Sequence, residues 1–308
     1  MACEHSIKRL FDTDQSVDKF FRTLSFRLSR TFVFALLDKI CPFRYNQNMF
    51  LLSGFLDLLC PPVCPICNGL IENPTGKELF ICSGCIQNVV TPDGQFCRRC
   101  GSRRAASANT PDQCTRCQTS RFRFKRAIAL GEYKDGLRLL VLRMKTDKTG
   151  ILAISAARTF LDHRRTDLEA VQADYILPIP MHRYRREERG VNSPDILAEI
   201  IGQQLNIPVV PHLVRRIRQT DLQHTLSQRS RANNIRDAFA VHSPNLLSKL
   251  IFRQSQPPLT GKTVLLVDDI LTTGSTCNEV TKVLRASGIK SVMVAVLARA
   301  EGRTLQRF

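Results

Sequence analysis

The run Val264-Leu265-Leu266-Val267-Asp268-Asp269-Ile270-Leu271-Thr272-Thr273-Gly274-Ser275-Thr276 sets four apolar residues before two carboxylates and a hydroxyl-rich turn. The apolar residues read as a strand buried on both faces, as in a parallel sheet, and ending at the acids. Residues 277–287 have helical spacing, with Val280, Val283 and Leu284 inward and Gly288 as the stop. The turn is therefore expected at a helix N-terminus. There free backbone N–H groups, the positive end of the helix dipole and the hydroxyls of Thr272, Thr273, Ser275 and Thr276 can converge on one phosphate, with Gly274 allowing close approach. Asp268 and Asp269 can accept hydrogen bonds from two ribose hydroxyls.

A strand, two acids and Thr-Thr-Gly-x-Thr resemble the phosphoribosyl-pyrophosphate (PRPP) signature of the type I phosphoribosyltransferases. A Walker-type phosphate loop fails on residues. Gly261-Lys262-Thr263 precedes its strand, and Gln256 stands where the first glycine belongs.

The chain has 308 residues and a formal net charge of +18, enough length for an α/β domain plus a smaller module and a balance that favours an anionic partner. Tryptophan is absent, so a base-stacking platform would rest on phenylalanine. The longest apolar window near the start, 31–37, is too short to cross a bilayer, and no membrane span is expected. Residues 1–48 interleave basic and aromatic residues without the apolar run of a signal peptide. They are expected to be a poorly ordered extension, with a basic amphipathic helix or a weak targeting segment as the other readings.

Eight cysteines form four Cys-x-x-Cys pairs: Cys64/Cys67, Cys82/Cys85, Cys97/Cys100 and Cys114/Cys117. Each such turn offers two thiolates to one cation, and two turns complete a tetrahedral zinc site whose binding energy is also folding energy. Disulfides are the rival, disfavoured by the regular spacing and the lack of a secretory signal. Sequential pairing gives one site from the first two pairs and one from the last two, although spacing alone also permits a crossed arrangement. A double zinc ribbon is expected over 49–120, ahead of a sheet domain over 121–302. The remaining cysteines, Cys277 among them, read as ordinary thiols.

The junction Arg121-Phe122-Arg123-Phe124-Lys125-Arg126 reads equally as a nucleic-acid contact or an amphipathic edge strand. It is placed at the ribbon–domain boundary, away from the phosphate turn. A strand follows over 127–133, then Leu137, Leu140, Val141 and Met144 mark a core-facing helix stripe. A second strand over 174–180 leads into a loop with Arg183, Arg185, Arg186 and Arg189 and a helix with Ser193 as its N-cap. Beside a sugar-phosphate site those guanidinium forks suit a pyrophosphate leaving group. The polar segment 215–239 reads as an excursion over the sheet edge, a hood or partner surface.

Taken together, Leu59-Cys60-Pro61-Pro62-Val63-Cys64, Tyr133-Lys134-Asp135-Gly136-Leu137, Pro178-Ile179-Pro180-Met181, Arg189-Gly190-Val191-Asn192, residues 229–239 and the Asp268-Asp269 turn resemble the ComF family of bacterial proteins. Val191 and Ser193 depart from the Phe and Gln usual there. The resemblance implies a double zinc ribbon with two structural Zn2+ ions and a type I phosphoribosyltransferase-like parallel sheet flanked by helices. It also implies a cytoplasmic role in natural competence. As an enzyme, such a protein would use PRPP with Mg2+, with Asp268 and Asp269 on the ribose, residues 272–276 on the 5′-phosphate and Arg183, Arg185 and Arg189 on the pyrophosphate. As a non-catalytic module, it would hold single-stranded DNA or a competence helicase.

Overall fold

The computed structural model describes residues 63–71, 81–92, 96–104, 114, 117, 120–181, 191–218, 235–241 and 258–300. The extension 1–48 lies outside them. A four-stranded, all-parallel sheet runs in the order β1-β6-β5-β2, from β1 (Arg126–Glu132), β2 (Tyr175–Pro178), β5 (Thr263–Leu271) and β6 (Ser291–Arg299). Between β2 and β5 in sequence, β3 (Val214–Arg216) and β4 (Phe239–Val241) pair antiparallel and tie together the two ends of the polar excursion.

Alternate residues of β5 enter different cores, as a strand covered on both faces requires. Leu265 and Val267 join a core with Ile128, Leu130 and Leu297, closed by α2 (Asp135–Met144), α3 (Ile151–Glu169) and α4 (Ser193–Leu205). Val264 and Leu266 join a core with Leu177, Val294 and Val296, closed by α5 (Ser275–Ala286) and the β3–β4 pair. Leu137, Leu140, Val141 and Met144 are all buried, as their spacing predicts. The helix α4 begins with Ser193 rather than being capped by it. Asn192 is the N-cap and makes no side-chain cap bond, because its amide donates to Asp195 at 2.8 Å.

The cysteine ribbons are built into these cores. Cys64, Cys85 and Val89, the last two on α1 (Ser83–Val89), pack in the helix-rich core, and Cys97 and Cys100 in the opposite one with Phe122 and Phe124. Between the ribbons the chain runs along β1: the Thr91 N–H donates to the Leu130 carbonyl at 3.0 Å. The buried Arg164 of α3 fastens this edge, donating to the carbonyls of Ala129 at 2.9 Å, Leu130 at 3.2 Å and Thr91, with its guanidinium over Phe96 at 5.4 Å. Gly131 is what lets the two backbones approach, since a Cβ there would sit 2.1 Å from the Val89 carbonyl oxygen.

Gly131→Ala is therefore expected to cost about 1–3 kcal/mol, the usual range for overpacking, or more given a rigid backbone neighbour. A urea midpoint equal to that of the parent would show that the ribbon is not pressed on β1.

Candidate functional site

The strand β5 has two neighbours only as far as Val267. On one side β2 ends at Pro178 opposite Val267, and the Ile179 N–H makes a last bond to the Val267 carbonyl at 2.8 Å. On the other side β6 stays paired through Asp268, Ile270 and Leu271, opposite Val296, Ala298 and Arg299. The acids thus lie inside the strand and not at its end, because β6 supplies ladder partners that the change from apolar to charged residues conceals. The crevice opens where β2 has stopped, at the carboxyl ends of the strands, where parallel α/β sheets place ligands.

After Leu271 the chain turns through Gly274, whose φ of 80° makes it a left-handed N-cap for α5. A Cβ at Gly274 would also lie 2.9 Å from the Phe122 ring, so glycine is required twice over. The Thr273 hydroxyl oxygen accepts the Ser275 N–H at 3.3 Å and lies 2.8 Å from the Ser275 hydroxyl. No acidic side chain occupies the first turn of α5, which leaves its positive end for an external anion. Beneath the turn, the fully buried Arg299 donates to the carbonyls of Leu271 at 2.5 Å, Thr272, and Ala300 at 3.2 Å. In a trans peptide C=O and N–H point opposite ways, so carbonyls drawn towards Arg299 leave the next N–H groups turned away from it.

Two charged or polar groups that the sequence does not single out join the acids. Burial, ahead of repulsion from Asp269, pushes the Asp268 carboxyl well above the ordinary carboxylate range, and the Asp269 N–H at 2.9 Å and the Lys145 ammonium only partly offset this. Lys145 caps the C-terminus of α2. Burial also raises the Tyr133 phenol at the end of β1, and the Asp269 carboxylate adds to the rise against the lowering effect of Arg138. Tyr133 belongs to the Tyr133-Lys134-Asp135-Gly136-Leu137 motif and Lys145 to none, and neither pattern places its residue at the site, since both reach it through the crossover from β1.

The junction 121–126 is not remote from the turn, as expected from the sequence, but beside it. Phe122 and Phe124 are buried with ring centroids 5.0 Å apart, and Phe122 covers Gly274. Asn278 of α5 accepts the Arg123 N–H at 2.8 Å and donates to the Arg121 carbonyl at 3.1 Å. Arg99 of the second ribbon donates to the carbonyls of Phe124 and, at 2.7 Å, Phe122. The two phenylalanines of the hexapeptide are core and Arg121, Arg123 and Lys125 are exposed, while the half-buried Arg126 pairs with Asp167. Arg183, Arg185 and Arg189 lie outside the described residues, as does most of the polar excursion.

The eight paired cysteines fall into two clusters in sequential order: Cys64, Cys67, Cys82 and Cys85, and Cys97, Cys100, Cys114 and Cys117. Within each cluster all sulfurs lie within 4.8 Å of one another, and none is in a disulfide. Zn–S bonds of about 2.3 Å place the sulfurs of a regular tetrahedron about 3.8 Å apart. The sulfur separations include 3.7 Å for Cys67–Cys82, 3.7 Å for Cys97–Cys117, 3.4 Å for Cys100–Cys114 and 3.8 Å for Cys114–Cys117. The electrostatics also call for a cation. The Cys97 thiol beside it holds Cys100 down at about 4, while the bond to Cys100 pushes Cys97 up. Burial pushes Cys117 up to about 11 and Cys85 higher still. Four such thiols ionise together only around a metal.

These features define a class: a double zinc ribbon joined to a phosphoribosyltransferase-type domain. The model of the double zinc ribbon domain matches residues 55–118, and that of the phosphoribosyl transferase domain matches 196–307. The chain is 31% identical over 225 residues to competence protein F of Haemophilus influenzae, covering 71% of this chain and 90% of that protein. It is 30% identical over 247 residues to the DNA utilization protein YhgH of Salmonella typhimurium, covering 79% and 99%. It is 22% identical over 240 residues to competence protein ComFC of Bacillus subtilis, covering 73% and 90%. The chain belongs to the ComF family. Among the described residues no helix is long and apolar enough to cross a membrane.

Metal analysis by mass spectrometry on protein purified without chelator is expected to give two zinc ions per chain; a value near zero would refute the fit of the thiol clusters. A second expectation concerns Asp268. An acid whose folded pKa is raised contributes most to stability below its unfolded value, near 3.8, and loses that contribution as pH rises through the folded value. Asp268→Asn should therefore melt above the parent at pH 8, and the gap should close as pH falls towards 4. A variant no more stable than the parent at pH 8 would show that the carboxyl is not desolvated.

Proposed function

We propose that this protein binds PRPP with Mg2+, or a related phosphorylated ribose, in the crevice at the end of β5, and that it transfers the phosphoribosyl group to a nitrogen nucleophile. The observation that carries this reading is the arrangement of the two carboxylates against a helix N-terminus free of acidic side chains. The N–H groups of α5 with the Thr272, Thr273, Ser275 and Thr276 hydroxyls receive the 5′-phosphate, and Asp268 and Asp269 accept from the ribose hydroxyls. Bringing the ribose or Mg2+ to Asp268 favours its ionised form, which the apo site disfavours. Mg2+ supplies neutralisation of the pyrophosphate charge, and the guanidinium groups of Arg183, Arg185 and Arg189 add to it. In the reaction a nitrogen–C1′ bond forms and the C1′–oxygen bond to pyrophosphate breaks. Pyrophosphate leaves with the electron pair, and the proton of the nucleophile passes to solvent. The oxocarbenium-like character at C1′ is stabilised by nearby carboxylates.

Relatives named for competence and DNA utilization support a role in the handling of incoming DNA. A second reading is a non-catalytic module that holds single-stranded DNA or a helicase of the uptake machinery. The specific observation in its favour is a groove along α5 lined by Arg99, Arg123, Lys125, Lys282, Arg285 and Lys290, with neither Asp268 nor Asp269 in its lining.

Calorimetry in millimolar magnesium should show PRPP binding that Asp268→Asn with Asp269→Asn weakens at least tenfold while zinc content and folding are kept. Undiminished binding by the double variant would remove the carboxylates from the site.

A further inference from the structure

One side chain joins the second thiol cluster to the wall of the crevice. Arg99 is the third residue of the knuckle Cys97-Arg98-Arg99-Cys100, between two members of that cluster. Its neighbour Arg98 is exposed, whereas Arg99 is half-buried. One of its terminal nitrogens donates to the Phe122 carbonyl at 2.7 Å and the other to the Phe124 carbonyl, with the guanidinium 5.7 Å from the centre of the Phe124 ring. The planar fork thus grips carbonyls two residues apart, a contact that a single ammonium reproduces only in part.

On its other side the same segment straps the start of α5. The Arg123 N–H donates to the Asn278 side-chain oxygen at 2.8 Å, and the Asn278 amide donates to the Arg121 carbonyl at 3.1 Å. The Asn278 N–H makes the first helical bond of α5, to the Gly274 carbonyl at 2.8 Å. The Phe122 ring fills the space over Gly274, where a Cβ would lie 2.9 Å from it. Residues 121–124 are therefore clamped between Arg99 and the turn after β5.

The knuckle itself is closed by two backbone bonds, from the Cys97 N–H to the Ser102 carbonyl at 2.8 Å and from the Gly101 N–H to the Cys97 carbonyl at 2.9 Å. Two such bonds recover only part of the entropy lost in ordering residues 97–102. The four sulfurs, placed to fit a tetrahedral ion, supply the rest when a cation joins them. Without that link the fork loses its anchor, and the junction keeps only its bonds to Asn278 on this side of the turn.

We propose that Arg99 couples the two sites: zinc in the second thiol cluster raises the affinity of the turn for a phosphorylated ribose, and the ribose ligand in return slows metal loss from that cluster. The inference rests on the PRPP reading and deepens it. Arg99 is a positioning residue, because it reaches the turn only through the Phe122 and Phe124 backbone. A coupling free energy is reciprocal, so the effect can be read from either end.

The test is pulse alkylation of the full zinc-loaded chain with N-ethylmaleimide under a zinc-selective chelator, with and without PRPP in millimolar magnesium, each cysteine being read by mass spectrometry. PRPP should slow the alkylation of Cys97, Cys100, Cys114 and Cys117 about fivefold or more, within the usual range of coupling between sites. Arg99→Ala should abolish that slowing and weaken PRPP binding by a similar factor in calorimetry. Arg99→Lys should restore part of both, and Arg98→Ala should leave both as in the parent. The parent's own rates test the coupling even where Arg99→Ala folds poorly. Equal slowing at Cys64 and Cys85 would mean general stabilisation by the ligand and would overturn the proposal. So would faster alkylation in Arg99→Ala with the effect of PRPP preserved, which is what a purely structural arginine would give. Calorimetry separates the two readings. PRPP that binds the parent yet leaves its alkylation rates unchanged overturns the coupling alone, whereas a parent that does not bind PRPP refutes the crevice reading and the coupling with it.

Discussion

The pairing of β5 with β6 beyond the last residue of β2 is the constraint on which the site depends. It gives Asp268 and Asp269 a rigid strand on one side and, among the described residues, no strand partner on the other. Had β2 continued, its backbone would occupy the space a ligand needs; had β6 stopped as well, the acids would sit in a loop. The register also brings Arg299 opposite Leu271, directly beneath the turn. A buried guanidinium is costly without acceptors, and here one of its terminal nitrogens donates to the carbonyls of Leu271, Thr272 and Ala300. The phosphate turn is shaped from below by β6 as much as by its own residues.

The ribbons extend the same logic outward. One thiol cluster closes the helix-rich core and the other closes the core that contains α5, so the metal sites grip the sheet from both faces. The second ribbon reaches the turn through a short chain of contacts: Arg99 holds the Phe122 carbonyl, and Phe122 covers Gly274. Metal binding, which organises the ribbon, therefore also organises the wall of the crevice. The same junction shows its exposed basic side chains to the groove along α5, so one short segment borders two anion-attracting surfaces.

Much of this was legible in the sequence because local patterns carry it. The apolar run 264–267, the glycine at 274 and the helical spacing of Val280 and Leu284 specify strand, turn and helix through nearest-neighbour chemistry. The cysteine pairs specify their clusters, although only the folded chain shows that the pairing is sequential. What escaped depends on long-range register. The continuation of β5 through its acids comes from β6, and the place of Phe122 comes from packing against a glycine 152 residues away, from 122 to 274. Lys145, Tyr133 and Arg299 look like an ordinary helix end and strand ends until the crossover brings them to the crevice. Asn192 rather than Ser193 precedes α4 because the Asn192 amide is drawn to Asp195.

The central claim is that the turn after β5 binds the phosphate of a phosphorylated ribose through its backbone. Amide hydrogen exchange of the zinc-loaded chain with and without PRPP and Mg2+ tests it most directly. Slowed exchange centred on residues 273–277 is expected, dependent on Mg2+ and absent with ribose alone. Protection confined to the groove along α5, or spread evenly with none at the turn, would contradict it.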